Sequence, residues 1–327
     1  MTKKDLKIVF LGTPDFAVES LSRLVDGGYN VVACVTMPDK PAGRGHHLYQ
    51  SPVKEYAVSH GIPVLQPVKL KDPEFVEKLR AYNADLFIVI AFRMLPEVVW
   101  QMPRLGTFNL HASLLPKYRG AAPINRAVMN GETETGVTTF MLKHEIDTGD
   151  ILRQERISIG PDENVGSVHD RLMALGADLT IDTVEHIIKG DLKPLPQDAV
   201  KDVEPTPAPK IFKDDCRIDW TRTARQVHDF VRGLSPYPAA WCVLKADNTA
   251  PIEIKIMKTA VSTGADFGQP GEVSTVDNKL IVACADGAVE ILELRPAGKK
   301  LMDAASYLRG ARLVNPAMIL KPEATNS

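Results

Sequence analysis

The chain has 327 residues, 39 of them Lys or Arg and 41 Asp or Glu, so its formal charge at pH 7 is −2. That balance excludes a broadly basic nucleic-acid coat and leaves room only for a local basic patch. With 44% hydrophobic and 24% charged residues the composition is that of a globular protein with a sizeable core, and at roughly 150 residues per domain the length suggests about two domains. The first residues pass from a basic flank straight into a short apolar run, without the hydrophobic region or cleavage site of a signal peptide. The longest uncharged apolar run, 86–92, is far short of the roughly 20 residues that span a bilayer, so a cytoplasmic protein is expected. Cys34, Cys216, Cys242 and Cys284 show no CxxC spacing and suggest buried reduced thiols rather than disulfides or a zinc site.

Short β-branched runs alternate with longer periodic segments over the first two thirds, the pattern of a mostly parallel sheet covered by helices. Strands are expected at 6–11, 30–37, 85–92, 106–112, 135–143 and 151–159. Gly12 ends the first, Thr13 offers a capping hydroxyl, and Pro14 suits the first turn of a helix running towards Gly27. A second helix is expected from about Asn164 to Lys189, closed by Gly190. Five prolines between Lys193 and Lys210 mark an extended, semi-rigid linker. Beyond it, Val227, Phe230, Val231 and Leu234 fall on one helical face. Alternation at Ile252, Ile254 and Ile256, then strands at 279–285 and 289–294 about an Asp286-Gly287 turn, suggest a small β-barrel. The expected division is therefore 1–192, a linker over 193–210, a barrel-like domain over 211–316, and a tail over 317–327. Residues 208–327 hold 16 basic against 14 acidic residues, a slight surplus that fits a polyanionic partner or an ordinary solvated surface.

Four segments offer chemistry. The Gly12-Thr13-Pro14-Asp15 turn lies between strand and helix, where backbone N–H groups converge on polar ligands; it is not GxGxxG, and a plain helix cap competes. In Phe108-Asn109-Leu110-His111-Ala112-Ser113, strand alternation puts Asn109 and His111 on one face, at the carboxyl end where open parallel sheets bind ligands. A hydrogen-bonded packing histidine is the competing reading. His144-Glu145-Ile146-Asp147-Thr148-Gly149-Asp150 is a polar turn. Its Asp-Thr-Gly has no second copy to form an aspartic-protease pair, and its spacing fits no metal-ligand pattern, so an Asx-type turn competes there. Residues 37–47 carry Lys40, Arg44, His46 and His47 on a Gly/Pro-punctuated loop, with Lys54 beyond, and suit phosphate contacts or plain solvation.

Taken in order, these segments resemble the methionyl-tRNA formyltransferase family. The resemblance rests on Gly-Thr-Pro-Asp-Phe-Ala at 12–17, Pro-Ala-Gly-Arg-Gly at 41–45, Asn-Leu-His-Ala-Ser-Leu-Leu-Pro at 109–116, Arg-Gly-Ala-Ala-Pro-Ile at 119–124 and Asp-Thr-Gly-Asp at 147–150. The Asn-x-His and the downstream Asp are shared by folate-dependent formyltransferases at large. The Pro-Ala-Gly-Arg-Gly loop and a tail with Ile218-Asp219-Trp220 and Pro296-Ala297-Gly298-Lys299-Lys300 favour the tRNA enzymes. Ala91-Phe92-Arg93 departs from the aromatic-Gly of many relatives and bears on the folate pocket.

The resemblance implies a Rossmann-like domain followed by an OB-like barrel. It also implies formyl transfer from 10-formyltetrahydrofolate, a cosubstrate rather than a tightly bound cofactor, to the α-amino group of initiator methionyl-tRNA, without a metal. It gives catalysis to Asn109, His111 and Asp147, and folate contact to Ser113, Leu114, Leu115 and Pro116. It gives tRNA contact to Lys40, Arg44, Lys210, Arg222, Lys299 and Lys300. Another folate-dependent formyltransferase or deformylase acting on a ribonucleotide amine or a nucleotide sugar, and a catalytically silent tRNA- or folate-binding protein, are the alternatives.

Overall fold

A computed structural model describes residues 1–42, 47–245, 250–262, 268–310 and 317–319. In chain order the helices and strands of the first two thirds are β1 (Lys7–Gly12), α1 (Asp15–Asp26), β2 (Asn30–Val35), β3 (Lys40–Ala42), β4 (His47–Tyr49), α2 (Pro52–Ser59), β5 (Val64–Leu65), α3 (Pro73–Arg80) and β6 (Leu86–Ile90). There follow α4 (Glu97–Trp100), β7 (Thr107–His111), β8 (Arg119–Gly120), α5 (Pro123–Met129), β9 (Glu134–Met141), β10 (Ile151–Ser158), α6 (Val165–Lys189) and β11 (Pro207–Ala208). The remainder carries α7 (Ala224–Leu234), β12 (Ala240–Lys245), β13 (Ile252–Ser262), β14 (Glu272–Val276), β15 (Lys279–Ala283), β16 (Ala288–Pro296), β17 (Met302–Asp303), α8 (Ala304–Gly310) and β18 (Ala317–Ile319).

The chain divides into two compact units. One comprises Met1–Pro123, Thr135–Ile157 and His169–Ala208, the other Ile124–Glu134, Ser158–Val168 and Pro209–Ser327. The first is built on a sheet of order β10-β9-β7-β6-β1-β2-β5. β1 pairs in parallel with β2 and β6, β2 with β5, and β6 with β7, whereas β9 runs antiparallel to β7. This is the Rossmann-like sheet expected. A sheet covered on both faces needs apolar residues at nearly every strand position, and all five residues of β6, Leu-Phe-Ile-Val-Ile, are buried. On one face Val9, Leu11, Phe87 and Val89 pack with Phe75, Val76 and Leu79 of α3. On β7 the alternation expected from the sequence holds: Phe108 and Leu110 are buried, and the Cβ position of Gly176 in α6 lies 2.7 Å from Leu110 Cδ2.

Two local expectations are corrected. Pro14, not Thr13, is the N-cap of α1, with no side-chain capping bond, and the Thr13 hydroxyl oxygen is buried without a hydrogen-bond partner among the described residues. Residues 193–208, expected as a linker, belong to the first unit and include a 3-10 turn over Gln197–Ala199. Leu195 bridges to Ile151, and β11 pairs in parallel with β8.

The second unit is a sheet of order β13-β12-β18-β14-β15-β16-β17, with a further pairing of β13 and β16 that returns the sheet on itself in the barrel-like curl expected. Its paired strands are antiparallel. Trp220, Trp241, Ile254, Ile256, Val282, Ile291 and Leu294 fill the core with Val227, Val231 and Leu234 of α7. A Thr223/Gln226 capping box starts that helix, satisfying two N-terminal backbone donors at once.

Candidate active site

β7 is where the sheet turns from parallel to antiparallel pairing. Asn109 lies between Val89 of β6 and Phe140 of β9, and His111 is opposite Thr138. Asn109 is half-buried, and no partner holds its side-chain amide among the described residues. His111 is buried, with Nε2 2.8 Å from the Tyr118 carbonyl oxygen. A carbonyl only accepts, so Nε2 donates, and Nδ1 is the nitrogen without hydrogen in the neutral ring. Nδ1 faces Asp147 Oδ2 at 3.8 Å. The ring stands edge-on to Phe140 at 6.4 Å between centroids.

Asp147 comes from a turn whose shape its neighbours dictate. Its φ is +54°, a left-handed value that Asp tolerates better than most residues. At Gly149 any Cβ would come within 1.5 Å of the Met141 carbonyl oxygen, so only glycine fits. The carboxylate oxygen that faces His111 also accepts the Gly120 N–H at 2.9 Å. Gly120 itself, with φ +129°, lies against β11, where a Cβ would be 2.6 Å from the Ala208 carbonyl oxygen. Asn109, His111 and Asp147 are thus brought to one end of β7.

The segment 113–116 forms the neighbouring wall through its backbone. The Ser113 hydroxyl donates to the Lys117 carbonyl at 2.7 Å, and Thr138 Oγ1 donates to the Ser113 carbonyl at 2.6 Å and accepts the Leu115 N–H at 3.2 Å. Gln154 Nε2 donates to the Leu115 carbonyl at 3.0 Å and to Thr138 Oγ1 at 2.9 Å. Ser113, Leu115 and Pro116 are buried, leaving Leu114 partly exposed. Nearby in sequence, Arg93 turns its guanidinium to the Pro67 and Val68 carbonyls.

The positions expected to meet tRNA are divided between the two units. Arg44 lies outside the described residues, as does the side chain of His47. Lys40 is exposed on β3. Lys54 pairs with Asp39 at 2.5 Å, and that bond, with a second from Gln66, holds the Asp39 carboxyl below its usual range. In the second unit Lys210 lies 5.3 Å over the Phe212 ring, and exposed Arg222 is 3.6 Å from Asp219. Lys299 lines a cavity of about 300 Å³ with Lys255 and Arg295, and exposed Lys300 follows it.

Among the described residues no three His, Cys, Asp or Glu side chains form a metal site, and no helix is long and apolar enough to cross a membrane. All four cysteines are buried, and burial pushes the thiols of Cys34, Cys242 and Cys284 up to about 12. The residue that sequence reasoning missed is Gln197, buried and bonded to the Asp147 turn from the proline-rich segment. No periodicity marks it.

The chain belongs to the formyl transferase family, a class of formyl-transferring enzymes: its residues 6–184 match the family named Formyl transferase, and residues 210–312 match Formyl transferase, C-terminal domain. It is 57% identical over 315 residues to the methionyl-tRNA formyltransferase of Bacteroides fragilis, covering 96% of this chain and 97% of that one. To the methionyl-tRNA formyltransferase of Phocaeicola vulgatus it is 59% identical over 317 residues, covering 95% and 98%. Among solved structures, the fold is similar to HypX from Aquifex aeolicus in complex with tetrahydrofolic acid (TM-score 0.61, 21% identity, 92% of this chain and 46% of that one). It is also similar to an N-formyltransferase from Helicobacter canadensis in complex with folinic acid and dTDP-3-aminofucose (TM-score 0.64, 20% identity, 88% and 98%).

Proposed function

We propose that this protein transfers the formyl group of 10-formyltetrahydrofolate to the α-amino group of methionine on initiator tRNA, in the cytoplasm. The likeness to methionyl-tRNA formyltransferases across nearly the whole of both chains supports the substrate. The observation that carries the chemistry is the His111–Asp147 pair on the strand that carries Asn109, whose amide has no partner among the described residues. The nucleophile is the substrate's own amine, so the protein needs no nucleophilic Ser or Cys. Attack on the formyl carbon places negative charge on its oxygen and positive charge on the amine. Asn109 donates to that oxygen, a contribution typically worth ~10²–10³ in rate. His111 takes the amine proton at Nδ1 while Nε2 stays on the Tyr118 carbonyl, and returns a proton to N10 of the departing folate. Asp147 stabilises the imidazolium formed in between. The folate lies along the backbone of Ser113, Leu114, Leu115 and Pro116, a cosubstrate that leaves as tetrahydrofolate.

Lys40, Arg44, Lys210, Arg222, Lys299 and Lys300 contribute the positive charge that meets tRNA phosphates. An arginine on one phosphate contributes about one unit to the log–log salt slope, whereas one reading a base edge changes discrimination more than slope. Arg44→Ala is expected to raise KM for methionyl-tRNA roughly tenfold, about what one lost charge-assisted contact costs, with the folate KM unchanged. A shallower slope assigns Arg44 to phosphate. An unchanged slope with poorer rejection of elongator tRNA assigns it to the acceptor end, and no change in either removes it from the interface.

The direct test supplies 10-formyltetrahydrofolate with charged initiator and elongator methionyl-tRNA and measures formylmethionine. Faster formylation of an amino-sugar nucleotide than of initiator methionyl-tRNA would overturn the proposal.

A further inference from the structure

Between Lys193 and Ala199 every residue is exposed except Gln197, which is 5% exposed. A polar side chain buried alone in an exposed run must satisfy its hydrogen-bonding groups, and Gln197 does so completely. Its Nε2 donates one hydrogen to the Asp147 carbonyl at 2.8 Å and the other to the Gly149 carbonyl, also at 2.8 Å. Its Oε1 accepts from Arg119 Nε at 3.1 Å and Nη2 at 2.7 Å. The amide has only one workable orientation, because flipping it would set oxygen against two carbonyls and NH₂ against a guanidinium.

Those contacts close a ring around the reacting pair. The two carbonyls flank Thr148 in the turn that carries Asp147. Arg119, which fixes Gln197, lies between Tyr118, whose carbonyl holds His111 Nε2, and Gly120, whose N–H holds the Asp147 carboxylate. Three consecutive residues, 118–120, thus set the imidazole, the Gln197 amide and the carboxylate. The left-handed φ of Asp147 is an uncommon backbone state that persists only where surroundings over-determine it, and Gln197 grips the carbonyls of the two residues that flank Thr148.

We propose that Gln197 is a positioning residue for formyl transfer: by clamping the Asp147 and Gly149 carbonyls it holds the Asp147 carboxylate in reach of His111. The proposal rests on the role given to Asp147 above, and it deepens that role by adding the proline-rich segment to the catalytic machinery. Gln197 is bonded to the Asp147 turn and to Arg119 rather than to Asn109 or His111, so the effect proposed for it is indirect and passes through Asp147.

The experiment is a double-mutant cycle. Gln197→Met, which keeps the length and removes both donors, is expected to lower kcat about 10–100-fold while both KM values stay within about twofold, the pattern of an interaction used only in the transition state. In an Asp147→Asn background the same change is expected to cost less than about twofold, because coupled residues are not additive. An equal loss in both backgrounds, or a loss confined to KM, overturns the proposal. Arg119→Leu, which leaves both Gln197 donors in place, is expected to cost less than Gln197→Met and to be absorbed in the same Asp147→Asn background; full additivity there overturns it too. A readout independent of the reaction is amide hydrogen exchange at Gly120, whose N–H reports the Asp147 carboxylate. Gln197→Met is expected to speed it about tenfold with exchange in α6 unchanged, and wild-type exchange at Gly120 would overturn the clamp. Asp147→Asn with wild-type turnover would instead remove the role of Asp147, and with it the basis of this proposal.

Discussion

Each unit contains a histidine between carboxylate and carbonyl groups, yet the two sites are built to opposite ends. In the second unit His228 Nδ1 is 3.1 Å from Thr259 Oγ1, and Nε2 is 3.3 Å from both the Pro161 carbonyl and Asp162 Oδ1. Beside it buried Asp229 takes Arg232 Nε at 2.6 Å and Arg225 Nε at 3.0 Å, and Arg232 Nη1 continues to the Glu163 carbonyl at 3.0 Å. Every strong group there is spent on another. At His111 the contact to carboxylate opens to 3.8 Å, and the side-chain amide of Asn109 on the same strand has no partner among the described residues. A buried polar cluster that is fully paired rigidifies a core, whereas one that keeps a donor and a proton acceptor unspent has something to offer a transition state.

The comparison breaks first on turnover. His111→Ala is expected to lower kcat by ~10²–10⁴, the range for a lost general base, and Asn109→Ala by ~10²–10³. In both cases the thermal midpoint should stay near that of the wild type. Steady-state kinetics beside a melting curve checks this, and unfolding of both variants would place these residues in the core rather than in the chemistry. The reverse holds for the closed cluster. Arg232→Met leaves the Asp229 charge buried and short of its nearest partner, a change that costs about 3–5 kcal/mol in comparable sites. Denaturant unfolding should show that loss, and the surviving folded fraction should retain its KM for folate.

The two sites were not equally legible. Asn109 and His111 could be placed on one face of a strand because a period of two residues needs no tertiary information, and the strand runs over Thr107–His111, inside the span expected. The Asp147 turn was visible as a polar cluster, but its partner was not: Gln197 bonds to two backbone carbonyls about fifty residues away, and carbonyls carry no side-chain signature at either end. The prolines of 193–210 lock their own φ but say nothing about the 3-10 turn at Gln197–Ala199 or the β11–β8 pairing. The Thr13 cap failed for a local reason, because Pro14 takes the N-cap position in an extended conformation. The closed cluster escaped sequence reasoning altogether. His228, Asp229 and Arg232 are buried polar residues of α7, and through His228 and Arg232 they meet 158–168, a distant segment that joins this unit.

The smallest expected effect sharpens the comparison through pH. Burial, the largest cause, lowers the His228 pKa below its ordinary 6.5, and the Arg225 charge adds to that. The Pro161 carbonyl, Asp229 and Asp162 act in the opposite direction and do not overcome it. The unfolded chain therefore binds a proton on this ring at a higher pH than the folded chain does, and stability rises with pH wherever the unfolded state holds more protons. Well above 6.5 both states are neutral at His228 and the group adds no slope. As pH falls below that value the unfolded state is favoured progressively, until the folded ring also takes its proton. His228→Gln, which keeps a donor for the Pro161 carbonyl and loses the titration, is expected to flatten the decline in unfolding free energy between pH 6.5 and the acid range while leaving formyl-transfer kinetics at neutral pH unchanged. Equilibrium unfolding of the two proteins at a series of pH values checks it: an identical decline in both would mean that His228 is not the group whose protonation the second unit resists, and that its closure owes nothing to keeping that ring neutral.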